Sequence, residues 1–430
     1  MFCLVLLDNS CDESQLSFDK DDFRSLNLLI IKCYKIRNIN FNSGSCPNLE
    51  KIIWFYNECG FLDEIQISGM DNIGKLKELE LNDARIGCGF SHCWPEVAVN
   101  LPRIRHYAYI DSVLIFYKEG FEHLKCLLIH GHNMTDINFE KGTAVALEKI
   151  ALSSTNIKSL RGVGQLPMLK ELELKGNELF DSFSGEAAPQ ESTEPEEFQH
   201  LKYFHFEDTR MIHIIFENGA APELEKIILY MSSTESKLTV SGSLPKLKET
   251  EVKGDQSIFL SLLKNAGKIN KVTLCDTLFN KRDNLYKLLS EKPSIRCLEL
   301  LDNSYDENQL TFDEDEFGNL NLLIIKCSKI RNINFNSGSC PGLEKIIWYY
   351  NKSDPQISGM HNIGNLKELE LNGDDVPLQL EKDIKAHKNK PVLRYEEPQH
   401  KEDKAHENEQ GAASCFPHFT TSYFSKKDQH

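Results

Sequence analysis

Three stretches carry residue types whose spacing could do chemistry. Gly69-Met70-Asp71-Asn72-Ile73-Gly74-Lys75 has the spacing of a phosphate-binding loop, in which backbone amides cradle phosphates and a lysine reaches their charge. The next residue, however, is Leu76, where such a loop needs a Ser or Thr hydroxyl for magnesium, and the related segment Gly359–Gly364 continues with Asn365 in place of the lysine. A phosphate loop also opens a helix, whereas this one runs into an apolar alternation that reads as a strand. Nucleotide binding is therefore set aside. Cys88, His92 and Cys93 have the letters of a zinc site, but a structural zinc needs four ligands and no second pair stands at matching spacing. His130 and His132 are similarly isolated. No nucleophile with a base and an orienting acid assembles from the sequence. The expectation is a non-enzyme without catalytic, cofactor-binding or metal-binding residues.

What must position any functional side chain is a repeat. Leu26–Asn57, LNLLIIKCYKIRNINFNSGSCPNLEKIIWFYN, returns at Leu320–Asn351 with only Tyr34, Asn48 and Phe55 changed, to Ser328, Gly342 and Tyr349. Looser copies begin at Phe121 and Phe198, giving four related blocks near 1–82, 121–177, 198–254 and 295–373. Inside a block Leu-x-x-Leu-x-Leu recurs, as at Leu76, Leu79, Leu81, at Leu169, Leu172, Leu174 and at Leu366, Leu369, Leu371. Successive frames start roughly 22 to 28 residues apart, the leucine-rich-repeat spacing, and with weaker frames at Tyr107 and Val272 make about sixteen units. The fold class expected is α/β: a curved leucine-rich-repeat solenoid with a parallel sheet on its concave face and irregular loops and short helices on its convex face. One unit cannot enclose its own leucines, so units stack around a continuous apolar interior. One register stays open, because Leu28–Ile31 and Leu322–Ile325 are apolar throughout. The looser copies favour Leu29 and Ile31 pointing inward, while the other choice fits a frame ending in Cys33.

Alternation then assigns the outward strand positions, where function would lie. They are Glu78 and Glu80, Glu171 and Glu173, and Glu368 and Glu370 in one kind of unit. In another kind they are Ile53 and Phe55, Ile228 and Tyr230, and Ile347 and Tyr349. The plain reading makes the glutamates a solvated face and the aromatics covers for neighbouring turns. The sharper reading is a protein-contact stripe, since rigid aromatic anchors dominate interfaces.

Composition narrows the classes. Lys plus Arg at 49 against Asp plus Glu at 65 gives a net charge of -16, which argues against attachment to nucleic acid or an anionic membrane. The opening MFCLVLLD imitates a signal peptide, yet its counterpart Cys297–Leu301 lies inside the stack, so it reads as a repeat strand. A soluble, intracellular and cytoplasmic chain is the expectation. Thirteen scattered cysteines read as buried free thiols rather than a disulfide framework. Asn133 and Asn351 open glycosylation sequons that matter only on export. The solenoid is expected over 1–395, with an acidic flexible loop at 180–199 and a disordered polar tail at 396–430. Because the chain starts inside a strand, an uncapped apolar end and poor solubility are also expected.

The order of motifs resembles the C-terminal repeat region of plant intracellular nucleotide-binding leucine-rich-repeat (NLR) disease resistance proteins. The carriers are units with Phe-x-x-Leu-x-x-Leu-x-Ile, Cys-Pro-x-Leu-Glu-Lys-Ile at Cys46–Ile52 and Cys340–Ile346, and Ile-Gly-Asn-Leu-Lys-Glu-Leu-Glu-Leu at Ile363–Leu371. The close through His387, Asn389 and Pro391-Val392-Leu393-Arg394 is similar too, with Lys388 in place of a proline. The signalling and nucleotide-binding domains of such receptors have no counterpart in these 430 residues, so no ATP-binding residue carries over. The resemblance implies a defence-response recognition and autoinhibition surface for a pathogen effector or a guarded host protein, in a truncated or partial receptor. A nucleotide-binding domain, in cis or trans, would be a further partner. The alternatives are a substrate-binding repeat protein of a ubiquitin-ligase complex, or a non-functional gene fragment.

Overall fold

A computed structural model describes residues 2–396, apart from 8–13, 57–64, 84–96, 100–111, 117–120, 131–133, 177–182, 185–196, 208–212, 217–218, 232–236, 351–355 and positions 34, 37, 70–71, 156, 158, 241 and 374–375. Cys88, His92, Cys93, Tyr107, His132, both sequon asparagines, most of the 180–199 loop and the tail beyond Glu396 fall outside the described residues.

The chain is a leucine-rich-repeat solenoid built on one parallel sheet of sixteen strands. In spatial order these are Phe2–Leu7, Leu26–Lys32, Lys51–Tyr56, Glu78–Asp83, Cys126–His130, Lys149–Ser153, Glu171–Lys175 and Tyr203–Glu207, then Lys226–Tyr230, Glu249–Lys253, Lys271–Cys275, Cys297–Leu300, Leu322–Ile325, Lys345–Tyr349, Glu368–Asn372 and Val392–Glu396. Register is strict: Leu79 stands beside Ile52 and Leu127, and Leu81 beside Trp54 and Ile129. The inward pair of each strand between the two edge strands is enclosed, as at Leu79, Leu172 and Leu369. At both copies of the ambiguous run Leu29 with Ile31 and Leu323 with Ile325 point inward, fully buried, and Cys33 and Cys327 follow them into the core.

The turn into eight of these strands is also repeated. Phe23, Cys46, Phe121, Ala144, Phe198, Ala221, Phe317 and Cys340 all adopt positive φ, between 43° and 61°. Their carbonyls accept from the amide three residues on, at the leucine that opens the next frame, for example Leu49 N to Cys46 O at 3.0 Å and Leu343 N to Cys340 O at 3.0 Å. Such a backbone costs a side chain about 1–2 kcal/mol. Burial of the same side chain repays most of it at Cys46, Ala144, Ala221 and Cys340, which are 0–1% exposed.

The far side of the core departs from the expectation of loops and short helices. It is made mostly of short strands in four small parallel sheets: Gln15–Phe18, Asn38–Phe41, Ile65–Ser68 and Val97–Val99; Ser112–Phe116, Met134–Phe139 and Ser159–Arg161; Phe183–Ser184, His213–Phe216 and Lys237–Val240; and Gln309–Phe312, Asn332–Phe335 and Gln356–Ser358. The reason is local. In Asn-Ile-Asn-Phe the apolar residues alternate, so Ile39 with Phe41 and Ile333 with Phe335 reach the core from an extended chain. Their rings stack from unit to unit, Phe18 on Phe41 at 5.0 Å, Phe116 on Phe139 at 4.6 Å and Phe312 on Phe335 at 5.0 Å, each with a turn phenylalanine edge-on. Helices form where apolar residues recur at three to four instead. These are α1 (Gln256–Asn265), which buries Phe259, Leu262 and Leu263 and is capped by Asp255 accepting from Ser257 N, α2 (Asn284–Glu291) and α3 (Leu378–Ala386).

Candidate functional site: the outward face of the main sheet

The sheet register sets the outward side chains in three columns. The first holds Lys51, Glu78, Cys126, Lys149 and Glu171 in succession, and the second Ile53, Glu80, Leu128, Ala151 and Glu173. The third carries Phe55, Asn82, His130, Ser153 and Lys175. Six of the twelve residues expected at outward positions stand in these stretches, and the same alternation sets Ile228 with Tyr230, Ile347 with Tyr349 and Glu368 with Glu370 on the outward side further along the sheet.

The glutamate pairs are not an open acidic face. Each is gripped by the lysine of the preceding unit: Lys51 reaches Glu78 at 2.5 Å and Glu80 at 3.6 Å. Lys149 reaches Glu171 at 2.9 Å and Glu173 at 2.6 Å, and Lys345 reaches Glu368 at 3.0 Å and Glu370 at 2.9 Å. Burial pulls Lys51, Lys149 and Lys345 down, but the hydrogen bonds and charges of the two carboxylates outweigh it and hold all three above the usual lysine value. The reverse holds for Glu173 and Glu370, where burial is outweighed by the same lysines and the carboxyls sit below 4.5. The signal was available, since each lysine is the Lys of a Leu-Glu-Lys-Ile motif one unit before a Glu-Leu-Glu motif. Only the register shows that the two meet.

The aromatic positions divide. Phe55 lies under Lys32 Nζ, 5.0 Å from the ring centre, and Tyr349 under Lys326 Nζ at 5.3 Å. Tyr349 is 40% exposed and Phe55 half-buried. Beside them Ile53 pairs in register with Ile30, and Ile347 with Ile324, so the duplicated blocks place two apolar islands on one sheet. Ile228, by contrast, is 7% exposed, enclosed by its neighbours.

Near the middle of the sheet the structure gathers a cluster that alternation alone did not single out. The Tyr203 hydroxyl lies 3.2 Å from His205 Nδ1, His205 Nε2 lies 3.1 Å from Glu207, and the Tyr230 hydroxyl donates to Glu251. The His205 ring is 8% exposed, edge-on to Tyr203 and Tyr230. The His205 contact, ahead of the cost of burial, holds Glu207 below its usual value. Burial first and carboxylates second push both tyrosines well above theirs. This hides in the sequence because Tyr203-Phe204-His205-Phe206 reads as an aromatic run; Tyr203, His205 and Glu207 meet along one strand, and the next two strands add Tyr230 and Glu251.

The two thiols of the first column, Cys126 and Cys297, are not activated. Burial pushes Cys126 and Cys297 up to about 11, against the thiolate that covalent chemistry needs. All eight cysteines among the described residues are free thiols, five of them buried. Lys75 of the apparent phosphate loop donates to Asn48 Oδ1 at 2.6 Å, and Gly69 packs against the Phe41 carbonyl at a turn with φ +71°. His130 Nδ1 lies 2.5 Å from Ser153 Oγ. Among the described residues no group of three His, Cys, Asp or Glu could hold a metal ion, and no helix is long and apolar enough to cross a membrane.

No family model and no curated protein matches the chain. Among solved structures it is similar to a leucine-rich-repeat protein of Leptospira interrogans, at 15% identity over 90% of this chain and 95% of that one, with a TM-score of 0.45. It is also similar to a leucine-rich repeat protein from Bacteroides ovatus, at 12% identity over 88% and 87% of the two chains, with a TM-score of 0.16. The leucine-rich-repeat solenoid is carried by the leucine frame and the sixteen-stranded parallel sheet.

Proposed function

We propose that this chain is a protein-recognition module that binds through the outward face of its main sheet. The observation that carries the reading is the pair of duplicated islands, Ile30, Ile53 and Phe55 with Lys32, and Ile324, Ile347 and Tyr349 with Lys326. Their backbone is fixed by a fully buried inner face, so their side chains meet a partner with little conformational entropy left to lose. Ion-pair ladders between and beside the islands, at Lys149 and Lys345, keep those stretches of the face polar and ordered. The finer reading is the recognition region of a plant intracellular immune receptor, sensing a pathogen effector or a guarded host protein and held by a nucleotide-binding domain. What supports it is the order of Cys-Pro-x-Leu-Glu-Lys-Ile, Ile-Gly-Asn-Leu-Lys-Glu-Leu-Glu-Leu and the closing Pro391-Val392-Leu393-Arg394. On this reading the chain works as a binding surface and not as an enzyme.

The test is a double variant, Phe55→Ser with Tyr349→Ser, compared with the wild-type chain and with Lys329→Ser, whose partner Asp306 lies off the outward face. Proteins crosslinked to the wild type in plant extract should fall at least tenfold with the double variant and persist with Lys329→Ser. Equal crosslinking to all three folded proteins would remove the reading.

A further inference from the structure

The two islands are near-copies, and an electrostatic difference between them indicates what the first one binds. At the second island Lys326, besides lying over Tyr349, pairs with Glu299 Oε1 at 2.9 Å. Glu299 stands in register beside Ile324, and its side chain is only 13% exposed. The residue in the same place at the first island is Val5, in register beside Ile30. A carboxylate has been replaced by an isopropyl group, and among the described residues Lys32 has no ion pair at all. The neighbouring Lys51 cannot accept a new anion in its stead, because Glu78 and Glu80 already hold it.

We infer that the Val5, Ile30, Ile53 and Phe55 surface binds a segment of a partner protein in which a carboxylate side chain sits beside aliphatic ones. The carboxylate takes the position that Glu299 fills internally at the second island and pairs with Lys32. The aliphatic groups cover Val5, which is 46% exposed, together with Ile30, Ile53 and the open side of Phe55. Pairing takes place over an apolar floor, where water competes poorly and a charge-assisted hydrogen bond is worth more than one at an open surface. The second island, neutralised from within by Glu299, has no such preference. The inference deepens the proposed protein-recognition role and rests on it.

The probe is a fluorescein-labelled twelve-residue peptide with Leu-Asp-Leu at its centre in a Gly-Ser background, titrated by fluorescence anisotropy beside the same peptide with Asn for Asp. The intact chain should bind the Asp peptide about tenfold more tightly than the Asn peptide. Lys32→Met should erase that preference, and Val5→Glu should close the site by rebuilding the internal pair of the second island. Lys326→Met should leave the preference unchanged. Circular dichroism confirms that each variant is folded; Lys32, Val5 and Lys326 are all exposed, so the core is untouched. No binding up to millimolar peptide, equal binding of the two peptides, or a preference that survives Lys32→Met or Val5→Glu would each overturn the inference. If the peptides fail while Phe55→Ser with Tyr349→Ser still loses its crosslinked partners, this inference falls and the broader reading stands.

Discussion

A lysine set between two carboxylates recurs at Lys51, Lys149 and Lys345, and its central member makes a prediction about pH. Glu173 is held below the ordinary glutamate value of 4.5, because Lys149 outweighs the cost of its burial. A carboxyl that binds its proton less readily when folded contributes stability above the ordinary value and loses it as pH falls through the lowered folded value. Lys149 and Glu173 are 33% and 16% exposed, so the pair is worth about 1 kcal/mol. Lys149→Met should therefore lower the melting temperature at pH 7, and the gap from wild type should narrow as pH drops below 4.5. A gap constant from neutral to acid pH would show that Lys149 acts through packing alone. The ladder also changes the meaning of the glutamates. Both halves of the motif were plain in the sequence, but the Glu side chains read as solvated there because nothing in one dimension says that a lysine some 22 residues away lies across the gap.

Among the elements, the turns after the far-side strands Ile65–Ser68 and Gln356–Ser358 show how strictly the unit is built. Gly69 and Gly359 both sit at φ +71°, and a methyl on either would be driven into a backbone carbonyl, that of Phe41 or Phe335. The same carbonyls accept from Asn72 and Asn362 Nδ2 at 2.8 Å, so the backbone cannot withdraw without losing that bond. Gly359→Ala should cost more than about 3 kcal/mol, combining left-handed strain with the clash. Gly364→Ala, with open space around the added atom, should cost well under half of that. Chemical denaturation distinguishes them, and equal losses would contradict the turn geometry. The spacing of Gly69 with Gly74 invited comparison with a phosphate loop, but Gly69 makes room for the neighbouring unit's Phe41 carbonyl and Gly74 has open space around it.

At the scale of the molecule the core is one continuous cluster running from Phe18 to Ile384. Each unit touches chiefly its neighbours, so stability is close to a sum of units and interfaces. Leu172, fully buried in a central strand, bridges Ile150 and Phe204. Leu172→Asp should split the thermal transition in two and open a protease site near the middle of the stack, whereas Leu393→Asp in the last strand should shave the end and leave one main transition. A single unfolding step for both variants would mean that the stack behaves as one cooperative body. What the sequence determined by itself is the solenoid, its inward leucines and the outward positions, because strand alternation and the repeat length are one-dimensional properties of the chain. It also favoured the inward choice at Leu29 and Ile31, by analogy with the looser copies. Only the tertiary structure decided what those outward residues meet. Lys51 closing on Glu78 and Glu80, His205 enclosed by two tyrosines, strands where loops were expected across the core, and Lys32 lacking the carboxylate that Lys326 has are all relations between units. Such relations depend on the register of strands side by side, and no spacing along one strand encodes that.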